Sequence, residues 1–513
     1  MRPHAGMRRR SRLLPILATA VLLAGCDSTL PATPNPSTPA QPSPAVTTAP
    51  SAKPSASPPV APSAPASPTP SPAATPTTPP QAGEWPYRTP REITQTLFPA
   101  DGRVVVVERD FDAERSAVVV LDAQGKPVDG WPWSIDTGNP IAVAALGPEN
   151  SIYVAQRGTG TGGSDYSWKL HRLSSAAAEQ PGFPIDLPPV SFCALDASSS
   201  GVAYVTCESE DADGRVAGTV FSAVSPDGAS PFAAPVRLGR SATLAGFGPD
   251  GLPILAIDAP GRTVVRALAA DGTTRWSTRA IAGSAFVDPQ GRVRVTRQDF
   301  GEDACGTPLR TTYDLIGADG RHASGWPVVL RGWASGPEVL DDGSMIAATA
   351  SGQAFRYSLR GRVASGWPVR VDVSFSCYDG TQPVATAGRL VVVGGTRVTE
   401  LGPHGATAWS TNPPGTIAIV CPGCTPGGAA PITPVLTQRS TYVGTYDAQG
   451  RPRVAVLGRV GAVGRRPIVG GKFDELLWLA GAPTGRIWAV TTRQRETTTS
   501  RLSLVGQEAP PAP

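Results

Sequence analysis

The stretch "ASGWPV" runs from Ala323 to Val328 and is spelled again, letter for letter, from Ala364 to Val369. Looser copies lie upstream, as "VVVLDAQGKPVDGWPW" from Val118 and "HRLSSAAAEQPGFPIDL" from His171, and a degenerate one, "VAVLGRVGAVGRRPIVG", begins at Val454. The unit is a β-branched run, a turn of the Asp-x-x-Gly type or its equivalent and then, in all but the degenerate copy, an aromatic opening a further short run. The aromatics are Trp131, Phe183, Phe232, Trp276, Trp326, Trp367 and Trp409, at separations of 52, 49, 44, 50, 41 and 42 residues. Short strands at even spacing with turn signals between them mean an all-β sandwich, barrel or propeller. A period of 40 to 50 residues narrows this to a propeller with one four-stranded blade per repeat.

A blade cannot bury both faces by itself, so each is expected to set its large aromatic against a neighbour. The proline after many of these aromatics cannot donate to a ladder, which places it on the outermost strand of the blade. The chain ends complement each other. The last repeat, Glu475 to Val505, has no Gly-Trp-Pro strand, whereas Trp85-Pro86 is such a strand with nothing before it. Glu84 to Arg88 is therefore expected to close the final blade, with Trp85 as its anchor. A literal count gives nine repeats. The expectation is a single ring of eight blades, within a range of seven to nine.

The Asp-x-x-Gly-x-x-x-x-Gly-Trp units from Trp85 to Val505 resemble the repeats of quinoprotein-type (PQQ-like) β-propellers. That resemblance implies the fold far more than any activity, because one propeller architecture hosts many functions. Quinone-dependent enzymes of this type carry adjacent cysteines beside the cofactor. No two cysteines are adjacent in this sequence, and no cofactor is expected.

Before the repeats, Arg8-Arg9-Arg10 precedes an apolar run, Leu13 to Ala24, too short to span a bilayer. It ends on Leu23-Ala24-Gly25-Cys26, which resembles a bacterial lipobox and implies a lipid on Cys26. The expected layout is a signal peptide at 1–25, a Pro/Ser/Thr/Ala-rich stalk at 26–83, the propeller at 84–506 and a tail at 507–513. Such a proline-dense stalk favours extended polyproline II and cannot form a core. The protein is thus expected to be exported and held on the bacterial membrane by its N-terminal lipid, facing the cell wall or periplasm.

The formal charge of +4 includes five signal arginines; without them 40 basic residues meet 41 acidic ones. A near-neutral chain with no basic run lacks the electrostatic footprint of a nucleic-acid binder. Catalytic side chains are scarce. His171, His322 and His404 are the histidines beyond the signal, and the last two sit in equivalent turns. Most carboxylates are turn aspartates, where Asp tolerates the tight backbone. The acidic stretch Glu208 to Gly214 makes Asp211 and Asp213 a weak calcium candidate, weighed against a solvated loop.

Six cysteines follow Cys26, an even number that in an exported chain implies disulfides. Cys193 and Cys207 flank a hairpin symmetrically and should face each other. Cys421 can close locally on Cys424, leaving Cys305 to pair with Cys377. The tight Asp-Gly turns fall on one face of a propeller. The insertions Gly158–Ser167, Glu208–Gly218, Asp299–Leu309, Asp372–Pro383 and Thr411–Pro431 are expected on the other. Long pinned loops are where binding concentrates. The expected function is a tethered, non-enzymatic binding or scaffold module using that long-loop face for an unknown protein or carbohydrate, with Trp133, Tyr166, Trp168 and Tyr378 as carbohydrate candidates. The alternative is an exported enzyme on the same scaffold, either a quinone-dependent dehydrogenase or a carboxylate-using hydrolase or lyase.

Overall fold

Val104-Val105-Val106-Val107 is a strand whose side chains are all buried, at 1% exposure or less, because it is sandwiched between two other blades. Val105 and Val107 pack with Ile152 and Val154 of the following blade. Val104 and Val106 pack with Trp488 and Val490 of the preceding one. Strands buried on both faces read as continuous apolar runs rather than alternating ones. The computed structural model describes residues 85–508 apart from short stretches at 111–112, 114, 136–141, 163–164, 212–214, 301–307, 350, 372–381, 387–388, 395, 421–429, 473 and 495–497.

Among the described residues the chain forms nine blades in a ring, each a four-stranded antiparallel sheet. They open in chain order at Glu92, Ala142, Phe192, Ala242, Ser284, Glu338, Gln382, Thr416 and Glu475, and are blades 1 to 9. First strands of successive blades lie against one another, which makes them innermost. The literal repeat count is what the ring contains, inside the range of seven to nine but one above the preferred eight. The copy at Val454 is a true blade 8: Pro452–Gly458 pairs with Ser440–Tyr446, and the stretch from Val463 to Val469 bridges back to Leu457 and Arg453.

The ring closes with the N-terminal strand. Tyr87–Thr89 is the outermost strand of blade 9, with Tyr87 opposite Leu502 and Thr89 opposite Ser500. Trp85 packs edge-on against Trp488, ring centroids 4.5 Å apart.

The repeated aromatic joins a blade to the next one through that blade's Asp-x-x-Gly turn. The indole N–H of Trp131 donates to Ser175 O at 2.9 Å, that of Trp326 to Leu359 O at 2.9 Å and that of Trp85 to Ala123 O at 3.3 Å. Each acceptor is the second residue of the next blade's turn. The turn's glycine closes on the same ring: a β-carbon on Gly320 would come within 2.6 Å of Trp276, and one on Gly461 within 2.7 Å of Trp409. The sequence therefore respells turn and aromatic together because they form one joint, with half supplied by each blade.

A second joint lies at the opposite end of the blades and uses a buried hydroxyl on the third strand. Thr263 Oγ1 donates to Gly283 O and accepts from Gly283 N, both at 3.0 Å. Thr311 Oγ1 donates to Gly332 O at 3.1 Å and accepts from Ala334 N at 2.9 Å. Thr219 does the same to Arg240 O and Ala242 N, and Ser500 Oγ accepts from Ile93 N across the ring closure. Each hydroxyl satisfies backbone groups where one blade hands over to the next.

Candidate functional site

The two ends of the ring are built differently. The turn face holds the short first-to-second and third-to-fourth connections, including the Trp joints. The loop face holds the second-to-third connections and the handovers between blades. There the paired strands Ile152–Gly162 and Asp165–Leu173 of blade 2 form a long hairpin, and Ala203–Glu210 with Val216–Val224 of blade 3 form another. Register shifts between Arg157 and Gly160, and between Ser209 and Glu210, bend both. The blade 2 hairpin carries the guanidinium of Arg157 at 4.0 Å from the Tyr166 ring centre.

Behind these hairpins, Cys193 and Cys207 are paired in register on the first two strands of blade 3 and form a disulfide, with α-carbons 4.1 Å apart. Both are buried in a cluster with Trp168, Leu170 and Val190. The bond thus ties the second strand of blade 3, one arm of the long hairpin, to the first strand. Cys305, Cys377, Cys421 and Cys424 lie outside the described residues, as do Cys26 and the stalk.

Charged residues with unusual surroundings gather at the loop-face ends of blades 9, 1 and 2. Glu108 is buried and accepts from Tyr87 Oη at 2.6 Å and from Arg91 Nη1 at 3.5 Å. Burial pushes its carboxyl up, against the opposing pull of Tyr87, Thr89 and Arg91. Burial also raises Glu92, which Arg109 opposes. Arg109 is lowered by burial and by the charge of Arg157, and Arg157 is lowered by burial. Further round, Asp299 takes hydrogen bonds from Arg297 at 2.5 Å and from Arg310. Burial raises that carboxyl, and the two guanidiniums more than offset it. This rim can offer a polar partner charges that are already partly dehydrated, which strengthens their interactions.

Several expected site residues lie elsewhere. Trp168 is a core residue, 1% exposed, with its N–H donated to Val190 O, so it is not available to stack on a sugar. Trp133 packs on His171, ring centroids 4.8 Å apart, and Tyr378 lies outside the described residues. His171 Nδ1 is 2.9 Å from Glu179, and His322 lies between Asp314 and Arg279 O, so both are structural. Asp211 uses its carboxylate to cap Arg215 N at 2.9 Å, closing the hairpin turn, and Asp213 lies outside the described residues. No group of three or more potential metal ligands occurs among the described residues.

One expected insertion is placed differently. The described residues 418–420 and 430–434 interrupt the innermost strand of blade 8. Thr416–Ile417 and Val435–Leu436 pair with opposite ends of Ser440–Tyr446, and between them in the chain Ile419–Val420 pairs with Ala430–Pro431. No described helix is long and apolar enough to cross a membrane.

No protein-family model and no curated protein matches this chain. Among solved structures it is similar to BamB from Moraxella catarrhalis, at 13% identity over 80% of this chain and 96% of that one, with a TM-score of 0.38. It is also similar to a eukaryotic initiation factor, at 10% identity over 76% and 89% with a TM-score of 0.46. The β-propeller domain of the Trilobed protease from Pyrococcus furiosus matches at 8% identity over 72% and 99%, with a TM-score of 0.37. The nine-bladed propeller is therefore read from the strand pairing of this chain, and nothing about activity passes from these neighbours.

Proposed function

We propose that this protein is an exported lipoprotein, anchored through Cys26, whose propeller is a non-enzymatic binding or scaffold module acting through its loop face. The observation that carries the reading is the asymmetry of the ring. Turns on one face are locked blade to blade by the Trp joints, whereas hairpins of up to 11 residues per strand extend from the other, one with an arm tied to the innermost strand by Cys193–Cys207. A rigid scaffold presenting long hairpins is the usual arrangement for recognition. Two measurements test it. Cys26→Ala should abolish incorporation of labelled fatty acid, and unchanged labelling removes the anchor. Shortening the blade 2 hairpin to a tight turn after Arg157 should remove partners captured by the intact lipoprotein while the ring stays folded. Undiminished capture contradicts the loop face.

A further inference from the structure

A cleft of about 200 Å³ opens on the turn face between blades 6 and 7, on the side of the ring away from the long hairpins. One repeat position bears on it. Near its start the second strand turns one side chain toward the next blade: the short Val105, Ile254 and Val391 in blades 1, 4 and 7, and Tyr153, Tyr204, Arg294, Tyr442 and Trp488 in blades 2, 3, 5, 8 and 9. These large groups plug the space between blades on the turn face. Tyr153 Oη donates to Gly201 O at 2.8 Å, Arg294 Nη2 to Gly343 O at 2.8 Å and Tyr442 Oη to Glu508 at 3.1 Å. In blade 6 the position is Ile346, which packs towards Leu390, Leu401 and the Trp367 ring of the same cluster and lines the open cleft.

We infer that this cleft is a binding site for a small molecule made of one aromatic ring and a protonated amine. The volume suits one ring, since a cavity of roughly 150 Å³ with apolar walls accepts benzene. The walls are aliphatic plus one indole, and the fold itself fills the equivalent gap with a tyrosine in blades 2, 3 and 8. The rim selects the charge. Asp342 is paired with Arg356 at 2.6 Å and Arg389 with Glu400 at 2.6 Å, so those charges cancel. Asp341, exposed at the rim, makes no hydrogen bond or ion pair among the described residues, leaving one negative charge for a cation. This inference concerns the opposite face and stands independently of the proposed loop-face function.

The test uses the full chain and three compounds built on the same phenol ring: tyramine, neutral para-cresol and anionic para-hydroxyphenylacetate. Tyramine should bind saturably and about tenfold more tightly than the acid, a difference of about 1.4 kcal/mol. It should slow hydrogen exchange at 340–346 and 389–403. Ile346→Tyr should plug the cleft and abolish binding, and Asp341→Asn should erase the preference for tyramine over para-cresol. Absence of saturable binding, protection confined to other segments, or equal affinity for all three compounds overturns the inference. The exchange result on the unaltered chain decides the matter even if Ile346→Tyr is poorly folded.

Discussion

Gly320 in blade 5 closes on Trp276 in blade 4 so tightly that a β-carbon at the glycine would come within 2.6 Å of the indole. Its φ of +80° is also in the left-handed region, so two penalties fall on one position. Gly450, at φ +72° with nothing within 4 Å of its β-carbon position, carries only the backbone one. Gly450→Ala should cost about 1 kcal/mol. Gly320→Ala should cost about 1–3 kcal/mol more, because the joint has no room. Denaturant titration of the two variants checks this, and equal losses would remove the joint as the reason for the repeat.

The closing strand makes a second prediction. Deleting residues 85–89 removes three paired residues from the edge of blade 9 together with the Trp85–Trp488 contact. An unpaired edge and exposed core should lower Tm by several degrees and open the ring to limited proteolysis. Unchanged Tm and protease resistance would mean that the ring closes without it.

Thr311 is fully buried and serves Gly332 O and Ala334 N at once. Thr311→Val keeps the shape but strands both backbone groups, which should cost about 1–3 kcal/mol. Thr311→Ser should recover most of it. Chemical unfolding of the pair is the check, and a neutral Val variant would show that the handover does not depend on the hydroxyl.

Glu108 supplies a pH dependence. Burial raises its carboxyl above the unfolded value, so the folded state holds the proton more tightly. Stability from this group is complete below the usual carboxylate range and falls as pH rises through the raised value. Glu108→Gln, which cannot ionise but still accepts from Tyr87, should therefore gain on the unaltered protein as pH rises from about 4 to about 7. Stability curves at several pH values read this directly, and a constant difference contradicts it.

The Cys193–Cys207 bond spans a separation of 14 residues. Loop-closure entropy for that length gives about 3 kcal/mol, so replacing both cysteines with serine should lower unfolding free energy by about 2–4 kcal/mol. Non-reducing peptide mapping alongside denaturation checks both the bond and its worth.

The features legible in the sequence were those that repeat with a large or rare residue. Trp131, Trp326 and Trp367 fixed the period, Trp85-Pro86 with no partner pointed to the closing strand, and the symmetry of Cys193 and Cys207 about their turn gave the bond. Blade 8 is harder to count because its outer strand has no aromatic and its inner strand is divided into Thr416–Ile417 and Val435–Leu436. The hydroxyl handover escaped notice because threonine is common in strands, and Thr219, Thr263 and Thr311 stand out only when their partners are seen. Trp168 reads as an exposed loop aromatic in sequence, yet it lies within the long blade 2 hairpin where that hairpin is still covered by Val190 and Cys193. The cleft lies where Ile346 takes a position that Tyr153, Tyr204 and Tyr442 hold in other blades, which requires strand register to recognise.

The loop face as the working surface is tested most directly by placing a photoreactive amino acid at single positions in the full chain in intact cells. Tyr166 and Glu210 stand on the blade 2 and blade 3 hairpins, and the exposed residues Gln124 and Arg360 stand on the turn face. The account predicts specific crosslinked products from Tyr166 and Glu210 and none from Gln124 or Arg360. Crosslinks from the turn face alone, or equally from both faces, would contradict it.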